Sequence, residues 1–358
     1  MQKLELVDGL SDVDLKGHSA DGCACCAVAK GTRRHVAVPG CPHHDSGPAA
    51  TRPLQVVHSD VMQVRTTAIG GFKYVVNFVD EYTGFSVVYL MHKKSQVIAK
   101  FKEFERIAAR YGHTIGMLRS DFGSEYVNKR FETYLDQRGI AFKRSPPYTP
   151  ELNGIAERSF RTLMESVRVQ LLQSALPAEF WGLALLSGCY VRNMCGVDGK
   201  DKTPWEMFTG DKPDTTRFRI WGSPSYVHID IRQNARTKEE MPNRECLLVG
   251  YCPHSSSWLF WDLRREKIIR SWHARIFEDP NKTGLVQHAS QQTAAERSEP
   301  ITGYRSDGNL LADITRDLSD GLQSYDQFHG REPIVTVEDE PATQPEFECP
   351  RRMAHRMC

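Results

Sequence analysis

Three runs rich in β-branched and aromatic residues lie so close together between residues 54 and 92 that only tight turns fit between them. They are roughly Leu54–Arg65, Phe72–Val79 (F-K-Y-V-V-N-F-V) and Phe85–His92 (F-S-V-V-Y-L-M-H). This composition reads as strands. The joints Ile69-Gly70-Gly71 and Asp80-Glu81-Tyr82-Thr83-Gly84 read as hairpin turns, so the three strands form an antiparallel unit. The first run, L-Q-V-V-H-S-D-V-M-Q-V, carries an acid, Asp60, among apolar residues. A lone carboxylate is expensive to bury there.

Helical spacing begins after Ser95, read as an N-cap, and continues to Tyr111 through Val97, Ile98, Phe101, Phe104, Ile107 and Ala108. A strand over Thr114–Ser120, a helix near Asn128–Gln137 and a strand over Ala141–Arg144 follow. The motif P-P-Y-T-P bars a helix before Pro150. Asn153 then caps a long helix to about Leu172. Pro177 opens another, with Phe180, Trp181, Leu183, Ala184 and Tyr190 on its apolar faces. The order β-β-β-α-β-α-β-α predicts an α/β domain, a mixed five-stranded sheet with flanking helices, in the order of an RNase H-like domain. Residues 217–278 change character. The pieces R-F-R-I-W-G, S-Y-V-H-I, E-C-L-L-V-G-Y, W-L-F-W-D and K-I-I-R-S-W predict a small β-barrel. The division expected is 1–50, 51–215, 216–279 and 280–358, the last a linker or tail poor in apolar runs and read as disordered.

The chain of 358 residues carries a net charge of +1, so any contact with nucleic acid must come from local basic patches. It contains no apolar run of about 18 residues and no secretory h-region. No membrane partner is expected. The ten cysteines are therefore expected as free thiols or metal ligands.

Two further acids have settings like that of Asp60. Asp121 ends the run I-G-M-L-R-S-D, and Glu157 falls where a proline-rich loop turns into a helix, with 35 residues between the two. Acids from two strands and a helix N-terminus suit a two-metal site of Mg²⁺ or Mn²⁺ for phosphodiester chemistry. The positive helix end favours Glu157. Arg161 and Arg168 lie four and eleven residues after Glu157, on nearly its face. They read as a cation row that tracks phosphates, or as a solvated face with an i,i+4 Glu–Arg pair.

The segments H-S-D-V, S-D-F-G-S-E-Y and T-P-E-L-N-G-I-A-E-R-S-F-R-T-L-M-E-S-V-R resemble the integrases of Copia-type (Ty1/copia) LTR retrotransposons. So do L-P-A-E-F-W-G-L-A, K-T-P-W-E-M-F-T-G-D-K-P-D and F-R-I-W-G, and the resemblance covers roughly residues 20–280. It implies a DDE polynucleotidyl transferase with Asp60, Asp121 and Glu157 as metal-binding catalytic acids. The reaction implied is joining of element cDNA 3′-ends to target double-stranded DNA, with 3′-end processing where the family uses it. Asn153 and Gly154 match the loop before the glutamate, and Arg158 joins Arg161 and Arg168 as a DNA-contact candidate. Tyr148 has two open readings, DNA contact and packing. The 217–278 region resembles the SH3-like domain that follows such cores, and Trp221, Tyr226, Tyr251, Trp258, Trp261 and Trp272 read as barrel core or as stacking surfaces for nucleic acid. A homo-oligomer is expected, in the nucleus for integration and in a cytoplasmic virus-like particle before it.

The beginning of the chain departs from the family. C-A-C-C-A-V-A-K-G-T-R-R resembles the end of a His-His-Cys-Cys zinc module, which makes Cys23 and Cys26 its cysteines, yet no histidine precedes His18. Residues 1–50 are thus expected to hold a truncated module. A second zinc pattern, Cys23, Cys26, Cys41 and His44, stays open by spacing. The run Lys30, Arg33, Arg34, His35 reads as DNA contact or as solvated charge. With no reverse transcriptase or protease signature, the chain is expected to be a piece of a polyprotein or a decayed reading frame. Beside an integrase, two readings stay open: a catalytically silent remnant that binds DNA or integrase subunits, and another RNase H-like nuclease or transposase, which the segment after residue 176 fits poorly.

Overall fold

The computed structural model describes residues 49–121, 123, 126, 129–144, 154–197, 199–228, 243–252, 255 and 257–278. The first three strands form where the β-branched runs place them: β1 Val56–Gln63, β2 Tyr74–Asp80 and β3 Ser86–Met91. Both joints are hairpins. Gly70 and Gly71 take φ values of +87° and +84° in the first, a region open to glycine without strain.

Helix α1 (Val97–Arg110) buries Val97, Phe101, Phe104, Ile107 and Ala108, the stripe its spacing predicts. Ser95 does not cap it. A 3₁₀ turn, Lys94–Gln96, precedes the helix. The Gln96 side chain instead accepts from the backbone N–H groups of His92 and Lys93, at 2.7 and 3.1 Å. Strand β4 (Met117–Ser120), helix α2 (Lys129–Gln137) and strand β5 (Ala141–Arg144) follow. Then come the long α3 (Gly154–Ser174), α4 (Trp181–Met194) and the short α5 (Pro204–Thr209).

The first sheet has the order β3-β2-β1-β4-β5. β1 runs antiparallel to β2 and parallel to β4, and β4 parallel to β5. One face packs on α1 and α2 through Val57, Val76, Phe78, Leu118, Phe101 and Phe131. The other packs on α3 and α4 through Val75, Val88, Leu90, Phe160, Leu163 and Leu183. This is the RNase H-like mixed sheet that the order of elements predicts.

The second sheet holds β6 (Pro224–His228), β7 (Asn243–Tyr251), β8 (Trp258–Asp262), β9 (Lys267–Ser271) and β10 (Ala274–Ile276), in the order β10-β6-β7-β8-β9. β9 and β10 lie at opposite edges, yet only Trp272 and His273 separate them. Three residue steps reach about 10 Å, whereas the edges of a flat five-stranded sheet stand about 19 Å apart. The sheet must therefore curl into the small barrel expected. The piece R-F-R-I-W-G is not a strand, although its alternation resembles one. Side chains take its backbone groups: Tyr251 Oη accepts from Arg219 N at 3.0 Å and donates to Arg219 O at 2.8 Å, and Trp258 Nε1 donates to Arg217 O. The fifth strand is β10.

Helix α4 joins the two units. Its cluster continues into Trp221, Leu247, Val249, Leu259, Trp261 and Ile268 of the second unit. Phe180 meets Trp261 edge-on at 5.1 Å, and Tyr190 stacks on Tyr251 at 4.8 Å. Trp221, Tyr251 and Trp261 are thus core residues, while Tyr226 and Trp272 are exposed. Cys189, Cys195, Cys246 and Cys252 are free, and burial pushes the Cys189 and Cys246 thiols up to about 12. Among the described residues no helix is long and apolar enough to cross a membrane. Residues 1–48 and 279–358 lie outside the described residues, and with them Cys23, Cys26, Cys41, His44, the basic run at 30–35 and the tail.

Because one apolar layer serves both units, they are expected to unfold together. Trp261→Ala should cost about 3–5 kcal/mol and lower a single denaturation midpoint. Two separate transitions in the parent, followed by denaturant titration, contradict a shared layer.

Candidate active site

Alternation along β1 sends Val57 and Val61 to the α1–α2 core and His58, Asp60 and Met62 to the face under α3 and α4. Asp60 is half-buried, and its Oδ1 accepts from Val61 N at 2.8 Å. Across the β1–β4 pair, Val56, Val57 and His58 stand opposite Met117, Leu118 and Arg119. Continued by two residues, this register sets Asp121 beside Asp60 on the same face. Asp121 is exposed just past β4, where its Oδ1 accepts from Gly123 N at 3.0 Å and turns the chain.

Glu157 is exposed in the first turn of α3, and α3 packs across β1 and β2. The link is polar as well as apolar. Asn77 stands opposite Asp60 in the β1–β2 register, and its Nδ2 donates to Ser159 Oγ at 2.9 Å, two residues beyond Glu157. The structure thus sets Asp60 and Asp121 at neighbouring register positions of one face, and Glu157 in the first turn of the helix that packs across that face. It does not draw them into a closed group: among the described residues no three His, Cys, Asp or Glu side chains stand close enough to hold one ion.

Arg158, Arg161 and Arg168 are exposed along α3. No ion pair joins Glu157 to Arg161, so the i,i+4 pairing is not formed. Tyr148 and Asn153 lie outside the described residues.

Sequence reasoning missed the polar surroundings of Asp60. His58, 2% exposed, meets Glu81 Oε2 through Nε2 at 2.7 Å, and Arg119 Nη1 reaches the same oxygen at 3.5 Å. Burial lowers the His58 pKa, and the bond and charge of Glu81 oppose it. Three of the seven buried side-chain polar atoms that find no hydrogen-bond partner among the described residues lie here: His58 Nδ1, Arg119 Nε and Asn77 Oδ1. All three side chains belong to the face of Asp60. On the opposite face Ser59 Oγ and Tyr126 Oη share a hydrogen bond of 2.5 Å, which ties β1 to the segment after Asp121. Asp80, fully buried at the end of β2, accepts from Leu54 N, Thr83 N and Thr83 Oγ1 at 2.9, 3.0 and 2.6 Å, fixing the approach to β1 and the β2–β3 turn. Burial raises its pKa against the pull of these donors.

The donor set suits a hard divalent cation. It offers carboxylates from two neighbouring strands, a third from a helix N-terminus and an unpartnered amide oxygen beside Asp60.

The chain thus carries an RNase H-like mixed sheet followed by a small SH3-like barrel. The integrase core domain family matches residues 50–150, and the retroviral polymerase SH3-like domain matches residues 223–288. The retrovirus-related Pol polyprotein from transposon TNT 1-94 of Nicotiana tabacum is 32% identical over 251 residues, 69% of this chain and 18% of the relative. That from transposon RE1 of Arabidopsis thaliana is 28% identical over 264 residues, 73% of this chain and 17% of the relative. The chain therefore spans less than a fifth of the length of these curated relatives. Among solved structures, the HTLV-2 integrase catalytic core domain in complex with magnesium aligns at 17% identity, 44% of this chain and 97% of that one, with a TM-score of 0.35. A chain of the simian T-cell lymphotropic virus intasome aligns at 15% identity, 72% and 88%, with a TM-score of 0.40. At these scores the superpositions carry no conclusion. The homologues of this chain are Ty1/copia-type Pol polyproteins of plant transposons.

Replacing Asp80 by Ala leaves Leu54 N and Thr83 N unpaired in the core. It should destabilise the fold by about 3 kcal/mol, read by denaturant unfolding. A loss within error of zero contradicts its role as the anchor of β1.

Proposed function

We propose that this chain is the integrase segment of a copia-type retrotransposon and joins element cDNA ends to target DNA, with 3′-end processing as a second activity of the same site. The observation that carries this reading is that Asp60 lies on β1 and Asp121 directly after β4, its parallel neighbour, with the helix that bears Glu157 packed across the sheet. In the joining step the 3′-hydroxyl oxygen of the element bonds to a target phosphorus, and the bond from that phosphorus to its O3′ breaks. The attacking hydroxyl loses a proton and the departing O3′ gains one, so the number of phosphodiesters is unchanged. Mg²⁺ or Mn²⁺ held by the three acids would activate the attacking oxygen and stabilise the leaving one. Asp60 would supply a floor fixed by the β1 pairing, Asp121 would join it from the turn that follows β4, and Glu157 would close the site from above. Arg161 and Arg168 extend the helix face of Glu157 and, with Arg158 on the flank of the same helix, would meet phosphates away from the reacting bond. The partners are cDNA ends, target duplex and further copies of the chain, working in the nucleus after a cytoplasmic particle stage.

One observation favours a second reading, a catalytically silent module that binds DNA or integrase subunits: the acids are not gathered into a three-membered group among the described residues.

A strand-transfer assay with a 3′-OH DNA end, duplex target and Mn²⁺ decides. Asp60→Asn, Asp121→Asn and Glu157→Gln should each reduce joining by more than about 100-fold with unchanged unfolding curves. Joining by Glu157→Gln at the parental rate refutes the assignment. DNA binding without any joining in the parent selects the silent module. Separately, Arg161→Ala and Arg168→Ala should each reduce the slope of log affinity against log salt by about one; an unaltered slope removes them from the DNA surface.

A further inference from the structure

We propose that Arg192, Ser159 and Asn77 form a positioning relay that sets the helix of Glu157 against the strand of Asp60; this rests on the reading of the three acids given above.

The relay is buried and continuous. Ser159 and Asn77 are 1% and 0% exposed. Ser159 Oγ accepts from Asn77 Nδ2 at 2.9 Å and from Arg192 Nη1 at 3.0 Å. The same Nη1 donates to Ser86 Oγ on β3 at 2.8 Å. Its base is fixed, because the neighbouring Asn193 holds the backbone of Ser86 twice: Oδ1 accepts from Ser86 N at 2.9 Å and Nδ2 donates to Ser86 O at 2.7 Å. One guanidinium on α4 thus meets hydroxyls from β3 and α3. Through Ser159 it meets the β2 residue that stands opposite Asp60.

Two features separate this from ordinary packing. Apolar contacts through Ala156 and Phe160 hold α3 to its layer, but such contacts have no direction and leave the helix free to slide or turn. Directed hydrogen bonds at Ser159 fix its phase two residues after Glu157. Arg192, moreover, makes no ion pair with a carboxylate among the described residues, and burial lowers its pKa. Arg192 is half-buried, and its Nη1 is directed to two hydroxyls instead of a carboxylate. A packing role is met more cheaply by an apolar side chain. The planar fork suits a group that must reach two acceptors on different elements.

The test uses the full chain and compares Ser159→Ala, Arg192→Met and Arg192→Lys with the parent. Four quantities are measured: joining rate, DNA affinity, thermal midpoint and Mn²⁺ binding by electron paramagnetic resonance. Ser159→Ala and Arg192→Met should each slow joining and weaken Mn²⁺ binding by about 10- to 100-fold, with DNA affinity unchanged. The double variant should be no slower than the worse single one, since both cut one path. Arg192→Lys should recover part of the loss. Parental joining and Mn²⁺ binding in Ser159→Ala and Arg192→Met overturn the proposal. So does a lowered thermal midpoint with parental Mn²⁺ affinity, which marks a merely structural role. Where the parent joins nothing, the Mn²⁺ titration alone decides by the same outcomes. Asp60→Asn and Glu157→Gln are the controls. If they bind Mn²⁺ and join as the parent does, the assignment of the acids fails, and the relay fails with it.

Discussion

The parallel pairing of β1 with β4 is the contact on which the rest of the structure depends. It sets Asp60 and Asp121 side by side, and a slip of one residue would turn Asp60 into the apolar face of α1 and α2. The register is fixed where the two strands approach. Gly116 N donates to Leu54 O at 2.9 Å, and Arg52 Nη1 reaches Thr114 O at 3.1 Å. A Cβ at Gly116 would stand 2.8 Å from Gln55 O, so only glycine permits this approach. Asp80 fixes the same end from the other side by accepting from Leu54 N. β1 is thereby held between an antiparallel and a parallel neighbour, each of which independently specifies which face Asp60 occupies.

The sheet was legible in the sequence because its strands are runs of β-branched residues with glycine turns between them. The stripe of α1 was legible because five apolar residues recur at helical spacing. Local side-chain competition was not legible. Ser95 looks like a cap, but the helix begins without a side-chain cap, and Gln96 reaches back to the N–H groups of His92 and Lys93 ahead of the 3₁₀ turn. The alternation in R-F-R-I-W-G promised a strand, yet Tyr251 and Trp258 claim its backbone from more than 30 residues away. The three acids were readable from their settings. The polar side chains that surround them were not, because Asn77, Ser86, Ser159 and Arg192 show no periodicity. In sequence each looks like an ordinary solvent-facing residue, and only the fold brings them within bonding distance.

Helix α4 explains why the barrel is not a loose appendage. It is apolar on nearly every side, burying ten of its residues, and one sheet cannot cover such a helix. The first sheet and α3 cover part of it. Leu247, Val249, Leu259, Trp261 and Ile268 of the barrel cover the rest. The barrel in turn has two apolar faces, since Val227, Cys246, Leu248 and Phe260 fill its own small interior. This double demand accounts for its many aromatic residues without calling on nucleic acid for those that are buried.

The face that carries Asp60 runs against the economy of the rest of the fold. It buries His58, Arg119 and Asn77 with one polar atom each left unpartnered among the described residues, and each such atom costs about 1–3 kcal/mol. A sheet selected for stability alone would fill these positions as it fills Val57, Val76 and Phe78 on the opposite face. The loss is sustained because the two apolar layers, above and below, are continuous and leave the polar strip as a local exception. The strip follows the registers His58–Arg119 and Asp60–Asn77, the pairs that flank the candidate carboxylates. A region kept polar at a cost in stability is thus aligned strand by strand with Asp60.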